Sequence, residues 1–247
     1  HLIPSSFFSL NLFQSAERDR EIIAYTTNQA YNLLVGCTRE AGMKKLLHII
    51  ATPRAEESRT LQVSEVFLKA FTGKHPDWLI EELDLSKEQL PSLTAKLVDA
   101  KYVLLGGKDL SGELKDAWQE IIAQIERFKS ADAYLISTPM WNFSIPYPLK
   151  HYLDVILQPT YLFRYTPAGV EGLLKNKSMV VITSRGGDDS APQRRDADFQ
   201  EPYLRFTFGF IGITEITFIN AQPMDMGEAL QAQKIKEAQV RAKELVV

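Results

Sequence analysis

From Lys45 onward, short apolar runs alternate with segments whose apolar residues recur every three or four positions, the pattern of buried strands joined by crossover helices. Leu46-Leu47-His48-Ile49-Ile50 stops at Ala51-Thr52-Pro53 and predicts a first strand. Val63, Val66, Phe67, Ala70 and Phe71 then fall at i, i+3, i+4, i+7 and i+8, the stripe of an amphipathic helix. Leu79 to Leu85 predicts a second strand, and residues 87–112 form a less regular stretch broken at Gly106-Gly107. A second helix sets Trp118, Ile121, Ile122 and Ile125 on one face and ends near Lys129, and Ala133 to Ser137 gives the third strand. Leu149 to Leu157 predicts a short helix, Ser178 to Thr183 the fourth strand and Ile216 to Ile219 the fifth, with a helix from about Gly227 to Val246. Tyr203 to Ile213 fits two patterns: Phe206, Phe208 and Phe210 alternate, while Tyr203, Phe206 and Phe210 share a helix face. The whole predicts an α/β fold, a doubly wound five-stranded parallel sheet of order 2-1-3-4-5 with helices on both faces.

The first 42 residues read differently. Phe7 to Phe13 is broken by Ser9 and Asn11 and lacks the basic start and continuous apolar core of a signal peptide. Ile22 to Glu40 fits a helix, and Met43-Lys44-Lys45 resembles the start of a cytosolic protein. The expected organisation is an N-terminal extension over 1–42, appended or read-through, and one functional domain over 43–247. Twenty-eight basic against thirty-one acidic residues give a net charge of −3, without the basic footprint of a nucleic-acid binder. The one cysteine, Cys37, lies in the extension, which fits a reduced, cytoplasmic setting. It also means that any redox activity of the domain would have to come from a bound cofactor rather than a thiol. No apolar run has the length of a membrane span, and the four histidines are not at metal-ligand spacing, so neither a membrane nor a metal is expected.

In a doubly wound sheet, ligands bind beyond the carboxyl ends of the strands at the switch in strand order. Three loops lie there. After strand one, Thr52 sits at the strand end, and Ser58, Arg59 and Thr60 open a helix whose N-terminal N–H groups suit an oxyanion. Ser58 serves equally as an ordinary helix cap. After strand three, Met140-Trp141-Asn142-Phe143 lies among Pro139, Pro146 and Pro148, a rigid segment exposing flat apolar rings and an amide, or else packing on the core. After strand four, Ser184-Arg185-Gly186-Gly187 lets backbone N–H groups approach a ligand, or simply turns the chain. Neither a G-x-G-x-x-G nor a P-loop pattern is present. Together the three loops fit a planar, phosphate-bearing cofactor such as a flavin mononucleotide.

Longer motifs are more specific. Thr138 to Lys150 (TPMWNFSIPYPLK), Leu162 to Leu173 (LFRYTPAGVEGL), Val181 to Gly187 (VITSRGG) and Pro202 to Ile213 (PYLRFTFGFIGI) resemble the FMN-dependent NADH-azoreductases, in the right order and over nearly all of Lys45 to Val247. The resemblance implies a flavodoxin-like fold, bound FMN and a homodimer with the flavins near the subunit interface. It carries FMN contacts onto Thr52, Ser58, Arg59, Thr60, Met140, Trp141, Asn142, Phe143, Ser184, Arg185, Gly186 and Gly187. Trp141 stands where tyrosine is often found, and Thr52 and Thr60 stand where serine is usual. Asp188 to Arg195 departs from the family's pattern, which bears on substrate preference.

The activity implied is two-electron, ping-pong transfer of hydride from NADH or NADPH through the flavin to a quinone or azo compound. The cofactor supplies that chemistry, so no catalytic side chain is assigned. Backbone donors at Asn142, Phe143, Gly186 and Gly187 suit the charge that develops on a reduced flavin. Phe143, Tyr165 and Phe210 are candidates to stack on a flat substrate, with core packing an equal alternative for Phe210. Arg194-Arg195 reads as a solvated loop or as a contact for the nicotinamide cofactor's phosphates. The rival reading is a flavodoxin-like electron carrier, or a flavin-binding regulatory module, without hydride chemistry of its own.

Overall fold

The computed structural model describes residues 43–188 and 196–246. The expectations for the 1–42 extension, Cys37 included, and for Arg194-Arg195 fall outside the described residues.

β1 (Lys45–Ile50) leads through a single 3₁₀ turn, Ala55–Glu57, into α1 (Arg59–Lys74) and β2 (Leu79–Asp84). Next come α2 (Ala95–Leu105), α3 (Gly112–Ala117), α4 (Gln119–Lys129), β3 (Ala133–Pro139) and α5 (Tyr147–Ile156). A hairpin of β4 (Phe163–Thr166) and β5 (Gly169–Gly172) precedes β6 (Ser178–Ser184), α6 (Glu201–Phe210), β7 (Glu215–Ala221) and α7 (Glu228–Glu244). The main sheet is parallel throughout with order β2-β1-β3-β6-β7, which is 2-1-3-4-5 when its own strands are counted along the chain.

Strand periodicity distributes the core. Leu47, Ile49, Tyr134, Ile136, Met179 and Val181 face one layer, packed by α2 to α6. Leu46, Leu135, Ile182 and Ile219 face the other, where Val63, Phe67 and Phe71 of α1 meet Ala238 and Ala242 of α7. Burial of each large apolar side chain contributes about 1.5–3 kcal/mol. The small residues of α7 let it lie close to α1.

Three segments depart from the expected pattern. The stretch 87–112 is not irregular: it contains α2, whose Leu97, Ala100 and Leu104 are buried at i, i+3 and i+7. Trp118 fixes it by donating its indole N–H to the Leu97 carbonyl at 3.2 Å. The ambiguous stretch Tyr203 to Ile213 is helical as far as Phe210, because Asp198 Oδ1 accepts the N–H groups of Gln200 and Glu201 at 2.9 and 3.0 Å and Pro202 lies in the first turn. The β4–β5 hairpin has strands of four residues, too short for a periodic signal. It is fixed to the end of α6 by Leu174, whose N–H donates to the Ile211 carbonyl at 2.9 Å. Gly172 lies so close to this point that a Cβ on it would sit 2.3 Å from the Gly212 nitrogen.

At the amino ends of the strands, Lys45 and Glu81 form a buried pair at 2.7 Å, and Arg127 reaches Glu81 at 2.5 Å and Glu88 at 3.2 Å. Burial would raise the Glu81 pKa, but hydrogen bonds and charge from Lys45 and Arg127 outweigh it and hold the carboxyl below its ordinary value. Its contribution is therefore complete above the ordinary carboxylate range and is lost as pH falls through the depressed folded value. Glu81→Gln should lose about 3 kcal/mol in urea unfolding at neutral pH, because a buried cation is left without its partner. The difference from the parent protein should shrink in acid, and a variant equal in stability at neutral pH would contradict this assignment.

Candidate active site

β1, β3 and β6 are neighbours in the sheet, so the loops that leave their carboxyl ends converge. The convergence is hydrogen-bonded. Ala51 N–H donates to the Ser137 carbonyl and Met140 N–H to the Ser184 carbonyl, both at 2.9 Å. Thr60 Oγ1 lies 2.7 Å from Ser184 Oγ, linking the first turn of α1 to the end of β6.

Loop one reaches α1 through Ala55, whose φ is +44°. Ser58 caps the helix, its Oγ accepting the Leu61 N–H at 3.3 Å, so the capping role is real. Its own hydroxyl hydrogen has no acceptor among the described residues, and the N–H groups of Arg59 and Thr60 have no protein partner among them either. The first turn of a helix cannot satisfy these donors itself, and their partial positive charge favours an anion. Thr52 is buried beside them and accepts from Arg54 N–H at 3.4 Å. Arg59 is bound to Asp225 at 2.6 Å, a carboxylate delivered by the segment after β7.

Loop two contains a tight turn. Trp141 and Ser144 exchange both backbone hydrogen bonds, at 2.9 and 3.0 Å, and Asn142 and Phe143 between them have φ of +46° and +69°. Two positive φ angles suit a two-residue type I′ hairpin turn. Asparagine tolerates that region, but a bulky residue such as phenylalanine does not favour it, and strain of this kind concentrates at functional sites. The turn leaves the N–H groups of Asn142 and Phe143 without acceptors among the described residues and holds the Phe143 ring half in solvent, at 53% exposure.

Loop three is built from behind. Arg185 is buried, and its guanidinium turns inward to Asp198 at 2.8 Å, so what it presents at the loop is backbone rather than charge. Its Nε and Nη2 make no hydrogen bond among the described residues, and Nη2 lies 3.9 Å from Glu201 Oε2. The N–H groups of Gly186 and Gly187 have no partners among the described residues, and the Gly186 carbonyl accepts from Met224 and Asp225, both at 3.1 Å. A Cβ on Gly186 would stand 2.4 Å from Asp225 Oδ2.

The three rings proposed for substrate contact fall into two groups. Tyr165 and Phe210 flank Phe163, at ring separations of 5.9 and 4.7 Å. Tyr165 is mostly exposed, whereas Phe210 is partly buried against the core, as its alternative reading allowed. Phe143 instead joins the segment before α6, its carbonyl accepting the Phe199 N–H at 2.9 Å.

Sequence reasoning missed Asp198, Gln200 and Asp225. The first two carried a signal, since an aspartate ahead of Glu201-Pro202 is a helix-start pattern. Gln200 is buried, gives its amide hydrogen to the Pro139 carbonyl at 2.9 Å and keeps Oε1 without a partner. Asp225 carried no signal, because its partner Arg59 is 166 positions away. Among the described residues no cluster of His, Cys, Asp and Glu has the arrangement of a metal site.

The family model for the flavodoxin-like fold matches residues 44–246. A protein of Nitratidesulfovibrio vulgaris (strain DP4) named FMN-dependent NADH:quinone oxidoreductase is 36% identical over 208 residues, 82% of this chain and 100% of that protein. A protein of the same name from Ruegeria pomeroyi is 38% identical over 192 residues, covering 77% and 94% of the two chains. Among solved structures, the FMN-dependent NADH-azoreductase of Bacillus anthracis in complex with FMN superposes with a TM-score of 0.72 at 28% identity, over 83% of this chain and 100% of that one.

The strained turn makes a separate prediction. Phe143→Gly should stabilise the flavin-free protein by about 1 kcal/mol, because glycine adopts positive φ without the Cβ clash, whereas Phe143→Ala should not. Thermal melts of the two variants decide it, and equal melting points would show that the turn stores no strain.

Proposed function

Because the chain belongs to the flavodoxin-like family of FMN-dependent NADH:quinone oxidoreductases, we propose that its three loops hold FMN and that it oxidises NADH to reduce quinones, with azo compounds as further acceptors. One observation carries the reading: six backbone N–H groups without partners among the described residues, on Arg59, Thr60, Asn142, Phe143, Gly186 and Gly187, lie in loops at the carboxyl ends of three adjacent strands. Thr60 is buried, where a backbone donor is rarely left without a partner, and the other donors lie at or near the surface around it, so the set suits an acceptor that arrives from outside the protein. The buried carbonyl oxygens of Gln200 and Gln222, also without partners, add polar capacity nearby.

FMN, when bound, supplies a two-electron carrier between hydride donor and acceptor. The rest belongs to the chain. Arg59 and Thr60 N–H groups and the Ser58 hydroxyl suit a phosphate at the start of α1. The donors of the second and third loops suit an anionic ring edge, fixed in place before charge develops there. Phe143 and Tyr165 offer exposed ring faces to a flat acceptor, and no side chain need act as acid or base.

The rings of Tyr147, Phe199, Tyr165 and Phe206 are exposed, and we read them as surface that a second copy of the chain covers in a homodimer. No described helix is long and apolar enough to cross a membrane. We read the setting as cytoplasmic on the single cysteine of the chain.

Anaerobic addition of NADH to the FMN-loaded protein should bleach the flavin absorbance, and a benzoquinone should then restore it. Absence of bleaching would leave the electron-carrier reading standing instead. Sedimentation velocity should give twice the chain mass, and a monomer across the micromolar range would remove the homodimer.

A further inference from the structure

Beneath α1, on the face where Leu46, Leu135, Val63 and Phe67 pack, runs a buried polar chain. His48 Nε2 lies 2.7 Å from Ser137 Oγ, which lies 2.6 Å from Ser64 Oγ, which in turn donates to the Thr60 carbonyl at 3.0 Å. All three side chains are buried. Polar groups in such a place destabilise unless every one is bonded.

The hydrogens of this chain can be counted. A carbonyl only accepts, so the single hydroxyl hydrogen of Ser64 goes to Thr60. Ser64 therefore accepts from Ser137, whose own single hydrogen is thereby committed. Ser137 must in turn accept from His48, which places a hydrogen on Nε2 whatever the other ring nitrogen carries. That other nitrogen, Nδ1, lies 3.8 Å from Glu82 Oε1. The chain thus has a direction, from β1 across β3 to the first turn of α1. It ends on Thr60, a residue whose N–H is among the unpaired donors and whose hydroxyl touches Ser184.

We propose that His48 is a positioning residue for phosphate recognition: its Nε2–H, relayed through Ser137 and Ser64, fixes the turn that presents the Arg59 and Thr60 N–H groups. The proposal rests on the FMN reading above and names the part of the ligand it serves, the phosphate monoester rather than the ring. Riboflavin, which lacks that phosphate, separates the two.

The experiment is fluorescence titration of flavin-free protein with FMN and with riboflavin, comparing the parent chain, His48→Leu, His48→Gln and Ser137→Ala. The parent should prefer FMN. His48→Leu and Ser137→Ala should shrink that preference by about tenfold, the effect expected when a bonded polar chain loses a donor. His48→Gln should restore most of it, since a glutamine amide donates from nearly the same reach. Loss of melting temperature lowers both affinities together and leaves their ratio unchanged, so the ratio separates positioning from packing. A His48→Leu protein with the parental ratio would overturn the proposal, and if that variant does not fold, an unchanged ratio in Ser137→Ala would do the same. A parent that binds both flavins equally would instead overturn the phosphate reading, and one that binds neither would overturn the FMN reading itself. Nitrogen NMR of the parent should find the His48 hydrogen on Nε2, and a ring protonated on Nδ1 alone would also overturn it.

Discussion

The first turn of a helix leaves N–H groups that the helix cannot satisfy, and in this molecule that geometric debt is left open at the sheet's carboxyl edge. Everything near the candidate site acts to keep it open and in register. Ser58 takes one donor, Leu61, and leaves the Arg59 and Thr60 groups without partners among the described residues. Thr60 is held to Ser184 on one side and, through Ser64 and Ser137, to β1 on the other. The parallel sheet is the frame that lets three separate loops present the same kind of unpaired donor within one region.

Rigidity is divided unequally between the sheet's two ends. At the amino ends, charges are paired with one another: Lys45, Glu81 and Arg127 neutralise and bond each other inside the protein. At the carboxyl ends, hydrogen-bonding capacity is left incomplete and backbone angles are forced, as at Phe143. The paired charges and the candidate site thus occupy opposite edges of the same five strands, the division expected where a preorganised site gives up some stability.

Much of this was legible in the chain. The strands were readable because buried parallel strands are nearly continuous apolar runs, as in Leu46 to Ile50 and Met179 to Ile182. The three loops follow from strand order alone, since ligands of doubly wound sheets bind beyond the carboxyl ends of the strands. What could not be read was of two kinds. Short elements such as β4 and β5 have no period to detect, and α2 was hidden by the turn residues that flank it. Long-range partners leave no local trace: nothing around Arg59 announces Asp225, and nothing around Arg185 announces that its charge turns inward to Asp198. The role of His48 was hidden for a third reason. In the sequence it is one polar letter in an apolar run, and only the pairing of β1 with β3 and the packing of α1 above them bring Ser137 and Ser64 to it.

The contact between Gly172 and Gly212 has a consequence for how the family can vary. Backbone meets backbone there with no room for a side chain, so the place of the β4–β5 hairpin is set by two glycines. Tyr165 and Val170, on the hairpin's exposed surface, take no part in that attachment. Substitutions at these two positions can therefore remake the hairpin's outer surface without moving the hairpin itself.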